Sequence, residues 1–168
     1  MQVELYTKFD DNLKDIWLNL ESKGYLTPFQ SYTWLSRWYN IVGLKDKNIE
    51  PLIILVKEKN KPIVLFPFCK RKSNFIVLVE YIGGIHADYK APIFAKEPKI
   101  DRQNFYILWK NVKAKLPHHD LLMLNDQPEK IGDLINPFVK YLRVKLKTTA
   151  SHHNIEGDWN NFYNEKLK

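Results

Sequence analysis

A histidine, a carboxylate and a phenol fall close together at His86, Asp88 and Tyr89. An imidazole can take a proton near neutral pH and a phenol can return one, the pair of roles that acyl transfer to an amine or hydroxyl uses. The three residues sit in an irregular segment that follows a strand, where a substrate could lie. The same residues could also simply organise a loop, with Asp88 accepting backbone N–H bonds. A second group gathers at a turn into a helix. An exposed Gln30 could hydrogen-bond a sugar or peptide, and Trp34 could stack on a ring. Arg37 could pair with a substrate anion. The alternative is a helix start with a buried Trp34, along which Arg37 lays its aliphatic stem.

Other residues promise less. His118-His119-Asp120 and His152-His153 are adjacent pairs whose side chains point in different directions, and no cysteine supports them. Zinc sites use spaced ligands, so no metal is expected. Lys70-Arg71-Lys72 reads as a basic turn between strands, either a solvated hairpin tip or a phosphate contact. Cys69 ends an apolar run with no base beside it, which is the pattern of a small core residue rather than a nucleophile. A single cysteine also excludes a disulfide framework and any CxxC metal site.

These residues must be positioned by an alternating series of elements. Residues 3–9 alternate as a strand. Asp10 or Asp11 can cap a helix whose Leu13, Ile16, Trp17 and Leu20 share one face. Gly24 stops it. Ser31 or Thr33 can cap a second helix, with Trp34, Leu35, Trp38, Ile41 and Val42 on its buried side and Gly43 at its end. Residues 51–57, 62–69 and 75–82 read as an antiparallel meander. An irregular stretch then runs from Gly83-Gly84 to about Ile100, longer than a simple turn. Asp101 can cap a third helix with the stripe Phe105, Leu108, Trp109, Val112 and Leu116. A short buried strand over 120–124, a weak helix over 128–138 broken near Pro137, and a last strand over 139–149 follow. Asp158 can cap a tail helix carrying Trp159, Phe162, Tyr163 and Leu167.

The composition fits that plan. The 168 residues are 45% hydrophobic and 27% charged, which excludes a disordered tail, a collagen-like fibre and a coiled coil. The longest apolar run, residues 63–69, is too short to span a bilayer. The opening residues read as a strand rather than a basic-then-apolar leader, so the expected compartment is cytoplasmic. The net charge of +7 is spread evenly. Through Ile85 there are 12 basic and 9 acidic residues, +3, and the remainder holds 14 and 10, +4. No concentrated basic stripe is present, so a nucleic-acid partner is not expected. The expected class is α/β (α+β): a mixed, mostly antiparallel sheet flanked by helices. That is the element order of GNAT acyltransferases.

The motifs sharpen this. Pro28-Phe-Gln-Ser-Tyr-Thr-Trp-Leu-Ser-Arg-Trp-Tyr39 resembles the PFQSxxWLxxWW signature of the cellulose-biosynthesis (CelD/BcsL-like) type of GNAT acetyltransferase. Leu65-Phe-Pro-Phe-Cys-Lys-Arg71 is similar to that family's xLPLxxxR strand. Asp88-Tyr-Lys-Ala-Pro-Ile93 resembles its DYxxPL segment, and Asp120-Leu-Leu-Met-Leu124 its DxLxLxxLP strand, from which Asn125-Asp-Gln-Pro128 departs. Family members resemble two GNAT-like halves in tandem, with the acyl-CoA machinery expected mainly in the second. The resemblance implies that residues 1–150 form a GNAT-like N-terminal domain and 151–168 a linker and the first helix of a second half.

It further implies transfer of an acyl group from acetyl-CoA or another acyl-CoA to an amine or hydroxyl, in polysaccharide or cell-envelope synthesis. This chain would supply the acceptor-side wall of a cleft, with Gln30, Trp34, Arg37, His86, Asp88 and Tyr89 facing a small-molecule or glycan-precursor acceptor. A second GNAT half, or self-association through the tail helix, would complete it. One motif is missing. GNAT domains bind the CoA pyrophosphate on backbone N–H groups at a helix start, in the sequence [RQ]-x-x-G-x-[GA]. Residues 82–104 contain no such sequence, and a carboxylate at Asp101 would repel phosphate. The alternative is therefore a non-catalytic GNAT-like binding module without a CoA site.

Overall fold

The computed structural model describes residues 1–142 and 158–166. Strand β1 (Gln2–Tyr6) leads into helix α1 (Asp11–Lys23). Asp10 caps α1, its Oδ1 accepting from Leu13 N at 2.9 Å. Leu13, Trp17 and Leu20 form its buried stripe. Strand β2 (Gly24–Tyr25) follows at once, at a close approach that only glycine permits. A Cβ on Gly24 would lie 2.6 Å from Leu20 O and 2.7 Å from Phe94 O. A 3-10 turn at Pro28–Gln30 then delivers Ser31, whose Oγ accepts from Trp34 N and caps α2 (Tyr32–Ile41).

The meander is β3 (Ile49–Glu58), β4 (Lys61–Ser73) and β5 (Ile76–Tyr81). After it come β6 (Ile93–Ala95), α3 (Arg102–Lys115), β7 (Leu121–Met123), the short hairpin β8 (Lys130–Ile131) and β9 (Leu134–Ile135), and α4 (Pro137–Leu142). Helix α5 (Trp159–Lys166) lies beyond residues that are not described. The main sheet runs β1-β3-β4-β5-β7. Its pairings are antiparallel except β5 with β7, which are parallel and joined through α3. The molecule is thus a mixed α+β fold with a mostly antiparallel sheet flanked by helices.

Strand alternation fills both faces. From β3, Ile53 and Leu55 join α1 and α2, where Leu13, Trp17, Leu35 and Trp38 are buried. Leu52, Ile54 and Val56 point the other way, toward Phe105, Leu108, Trp109 and Val112 of α3 and Phe138 of α4. Strand β4 is longer than its neighbours and shares one edge between two partners. β5 pairs with Phe68 to Ser73, and β6 pairs with Val64 and Leu65. Ile82 N donates to Pro67 O at 2.8 Å in the gap between them. Residues 83–92 therefore leave the sheet and return to the same edge, making an excursion over α2.

Several expectations need correction. Lys70, Arg71 and Lys72 are not a turn but the continuation of β4. Lys70 Nζ lies 2.6 Å from Glu50 and the Arg71 guanidinium grips both oxygens of Glu80. Cross-strand carboxylates let a charged run stay in a sheet. The turn falls instead at Asn74-Phe75, where Asn74 takes φ 54°. Residues 128–138 are not a weak helix. Gly132 at φ 57° turns the β8–β9 hairpin, and Pro137 begins α4 rather than breaking a helix, because a helix's first N–H has no partner to lose. That helix also occupies 139–142, where a last strand was expected; 143–149 lie outside the described residues. Ile41, expected on the buried side of α2, is 58% exposed, and Leu121, in the strand expected to be buried, is 49% exposed.

Candidate functional site

The excursion of residues 83–92 ties the two sequence groups together at one point, Gln30 to Tyr89, with Phe29 linking Trp34 to Tyr89. Gly83, at φ 117°, and Gly84, at φ 53°, turn the chain sharply away from β5. A Cβ on Gly84 would sit 3.1 Å from the Trp38 ring, so the glycine lets the backbone lie against that indole. Trp38 Nε1 then donates to His86 Nδ1 at 3.1 Å. An indole N–H is a donor only, so Nδ1 must offer its lone pair and the neutral ring carries its proton on Nε2. His86, exposed, presents an N–H to solvent. While the Trp38 bond holds, it has no free lone pair with which to act as a general base.

Gln30 is 1% exposed, which corrects the expectation of an exposed amide facing a sugar. Its Oε1 accepts from Thr27 N at 2.7 Å and Thr27 Oγ1 at 2.9 Å, its Nε2 donates to Tyr89 O at 2.6 Å, and its backbone O accepts from Trp17 Nε1 at 3.0 Å. The amide is consumed in tying the 3-10 turn to the loop. Phe29 bridges the same two segments, with its ring 6.1 Å from Trp34 and 6.0 Å from Tyr89. Trp34 is half-buried, between the two sequence readings, and Tyr89 is 36% exposed. Asp88 is exposed. Arg37 stands on the outer face of α2 and makes no ion pair among the described residues, in an open depression of about 260 Å³ with Ser36, Asn40 and Ile41.

The loop is fastened at a second point that the sequence did not announce. Lys90 N donates to Asp126 O at 2.9 Å, and Lys90 Nζ lies 2.8 Å from Asp126 Oδ2. Asp126 follows β7, so this tie joins the ends of the parallel pair. Beneath it is a tight gap, partly open at its rim, lined by Phe29, Leu35, Pro67, Tyr81, Ile82 and Ala91, along with the loop's own residues. The Tyr81 hydroxyl is buried and has no hydrogen-bond partner among the described residues. Only its place at the end of an apolar strand could have flagged it.

At the start of α3, Asp101 Oδ1 accepts from Asn104 N at 2.7 Å and its backbone O accepts from Phe105 N at 2.9 Å. The helix start is closed by the chain's own carboxylate, an arrangement that does not fit a pyrophosphate. Cys69 is buried, and burial pushes its thiol up to about 12. No group of three or more His, Cys, Asp or Glu that could hold a metal gathers among the described residues. His152 and His153 lie outside them. No helix among the described residues is long and apolar enough to cross a membrane.

No family model matches the sequence, and no curated protein matches it. Among solved structures, the chain is similar to a GNAT family acetyltransferase from Staphylococcus aureus subsp. aureus USA300_TCH1516. The TM-score is 0.43 and the identity 13%, over 93% of this chain and 100% of that one. The architecture rests on the strand order and pairing given above.

Proposed function

We propose that the chain is a GNAT-like module of an acyltransferase, of the cellulose-biosynthesis type that its motifs resemble. In this reading it contributes the acceptor side of the reaction and does not bind the acyl-CoA itself. The observation that carries it is the start of α3. A GNAT fold would offer free backbone N–H groups to the pyrophosphate there, and here Asp101 takes Asn104 N on its own carboxylate and sets a negative charge at the helix start. The acceptor, an amine- or hydroxyl-bearing glycan precursor, would lie against Trp34 and Arg37, with the His86 Nε2–H, Asp88 and Tyr89 on the loop beside them. A second GNAT half would bring the acyl-CoA. The working compartment in this reading is the cytoplasm.

A purely binding role is the second reading, favoured by the Trp38–His86 bond, which leaves the loop without a free imidazole lone pair. Calorimetric titration of acetyl-CoA into the purified chain tests the division of labour. No heat of binding at millimolar acetyl-CoA is expected. Micromolar binding would overturn it and make the chain a self-sufficient enzyme candidate. Saturation-transfer NMR with amine-bearing sugar phosphates tests the acceptor face. Binding that weakens in Trp34→Ala and Arg37→Ala is expected, and binding indifferent to both would remove the acceptor site from α2.

A further inference from the structure

Buried hydroxyls are almost always hydrogen-bonded, and one that is not calls for a physical reason. Tyr81 is such a case, and it lies among features that belong together. It ends β5, at the point where Gly83 and Gly84 turn the chain out of the sheet with positive φ. It lines the tight gap beneath the loop, whose other walls are mostly apolar: Phe29, Leu35, Pro67, Ile82 and Ala91. No part of that space is wide enough to admit a water molecule, so solvent does not satisfy the hydroxyl as the structure stands. The cover over it is the returning segment around Tyr89 and Lys90. The segment 83–91 is held by a few ties: Gln30 Nε2 to Tyr89 O, Lys90 to Asp126, Trp38 Nε1 to His86 Nδ1, the edge contact of Phe29 on Tyr89, and the burial of Ala87 and Ala91.

We propose that residues 83–91 form a hinged strap over a small-molecule subsite, with the Tyr81 hydroxyl as the one polar group of its floor. The occupant is a small neutral molecule with an apolar body and a single carbonyl or hydroxyl oxygen. The two glycines supply the hinge, because they alone in the segment adopt left-handed φ without strain. Opening breaks the local hydrogen bonds and the Lys90–Asp126 pair and lifts Ala87 and Ala91 out of burial, while the sheet ladder stays intact. Burial holds the Tyr81 phenol far above its ordinary range. It therefore remains a neutral donor at any working pH, able to give its proton in a hydrogen bond to a carbonyl oxygen. The inference does not depend on the acyltransferase reading: the strap carries His86, Asp88 and Tyr89, which that reading sets beside the acceptor, but the subsite is argued from Tyr81 and the gap beneath the strap.

The experiment uses the full chain, its Asp126→Ala, Gln30→Leu and Tyr81→Phe variants, and cyclohexanone as probe. Hydrogen exchange followed by mass spectrometry reads the strap. Amides of 84–91 are expected to exchange about tenfold faster in Gln30→Leu and about fivefold faster in Asp126→Ala, with β3 and β4 unchanged. Asp126 is on the surface, so that variant keeps the test open should Gln30→Leu fail to fold. NMR titration reads the subsite through the amides of Leu35, Ile82 and Ala91. Saturable shifts are expected in the native chain. They should be tighter in Asp126→Ala, where less of the affinity is lost to opening, and about tenfold weaker in Tyr81→Phe. Strap amides that exchange only together with the sheet, in the native chain and in both tie variants, would overturn the hinge. Absence of saturable shifts in both the native chain and Asp126→Ala, or equal affinity in Tyr81→Phe, would overturn the subsite.

Discussion

At the scale of single residues, burial decides which groups can react and which only hold the fold. Cys69 sits in a strand with one face against Leu35 and Trp38, and its thiol is pushed up to about 12 by that burial. The thiolate is the reactive form, so the native chain should resist a disulfide reagent such as Ellman's at pH 8 and release one thiol only on denaturation. Rapid stoichiometric reaction of the folded chain would place Cys69 in a different environment. Tyr81 gives the opposite kind of expectation. A buried hydroxyl without a partner costs about 1–3 kcal/mol, so Tyr81→Phe should raise the stability of the unliganded chain by about 1 kcal/mol in urea unfolding. A loss of stability instead would mean that the hydroxyl has a partner in solution. Gln30 looks like a binding residue in sequence because an amide beside a tryptophan suits a sugar. Its true work, fixing Thr27 and Tyr89, depends on a partner 59 positions away, which local spacing cannot reveal.

At the scale of elements, legibility followed the range of the forces involved. The caps of α1, α2 and α3 were readable because Asp10, Ser31 and Asp101 each bond a backbone N–H three residues on. The meander was readable because β3 and β4 are nearly continuous apolar runs. What was not readable needed distant partners. Lys70 and Arg71 look like a turn until Glu50 and Glu80 are set opposite them, and β6 is three residues made a strand by pairing with the free edge of β4 beyond β5 on one side and with β2 on the other. Gly83-Gly84 was visible as a break, and its geometry sets a sharp test. A Cβ at Gly83 would stand 2.7 Å from Ala87 Cβ in a backbone conformation, φ 117°, that side chains rarely adopt. Gly83→Ala should therefore cost about 1–3 kcal/mol, seen as a lowered midpoint in urea, whereas Gly132→Ala, also left-handed at φ 57° but with only ordinary contacts to Tyr25 and Leu26 O, should cost less. The sheet also carries its own pH response. Burial alone would raise the Glu4 carboxyl, but the bonds from Lys57 and Tyr6 outweigh it and hold it low, and the bond from Lys70 does the same for Glu50. Depressed carboxyls contribute stability above the ordinary value of 4.5 and lose it as pH falls through the folded-state values. Lys57→Met should flatten that acid-side decline without changing stability near pH 9 by more than the small worth of a partly exposed pair.

At the scale of the whole molecule, the sheet is the wall that two cores share. Ile53 and Leu55 face Trp17 and Trp38, while Leu52, Ile54 and Val56 face Trp109, Phe105 and Phe138. Because consecutive residues of one strand serve opposite layers, neither core can lose its packing without moving the backbone that supports the other. The proposed strap differs in kind: its ties to Gln30 and Asp126 lie outside the strand ladder, so it can open without breaking the sheet, uncovering only Ala91 and the core side chains directly beneath it. Ile53→Ala and Ile54→Ala should each cost about 2–5 kcal/mol, the range for deleting a buried aliphatic side chain. In both variants the fluorescence transition and the far-ultraviolet circular dichroism transition in urea should coincide, although tryptophans lie on both sides of the sheet. Fluorescence that leads circular dichroism in one variant and not in the other would mean that the layers unfold separately. The sheet would then be two half-walls rather than one, and a strap opening measured by hydrogen exchange could no longer be assigned to a local event.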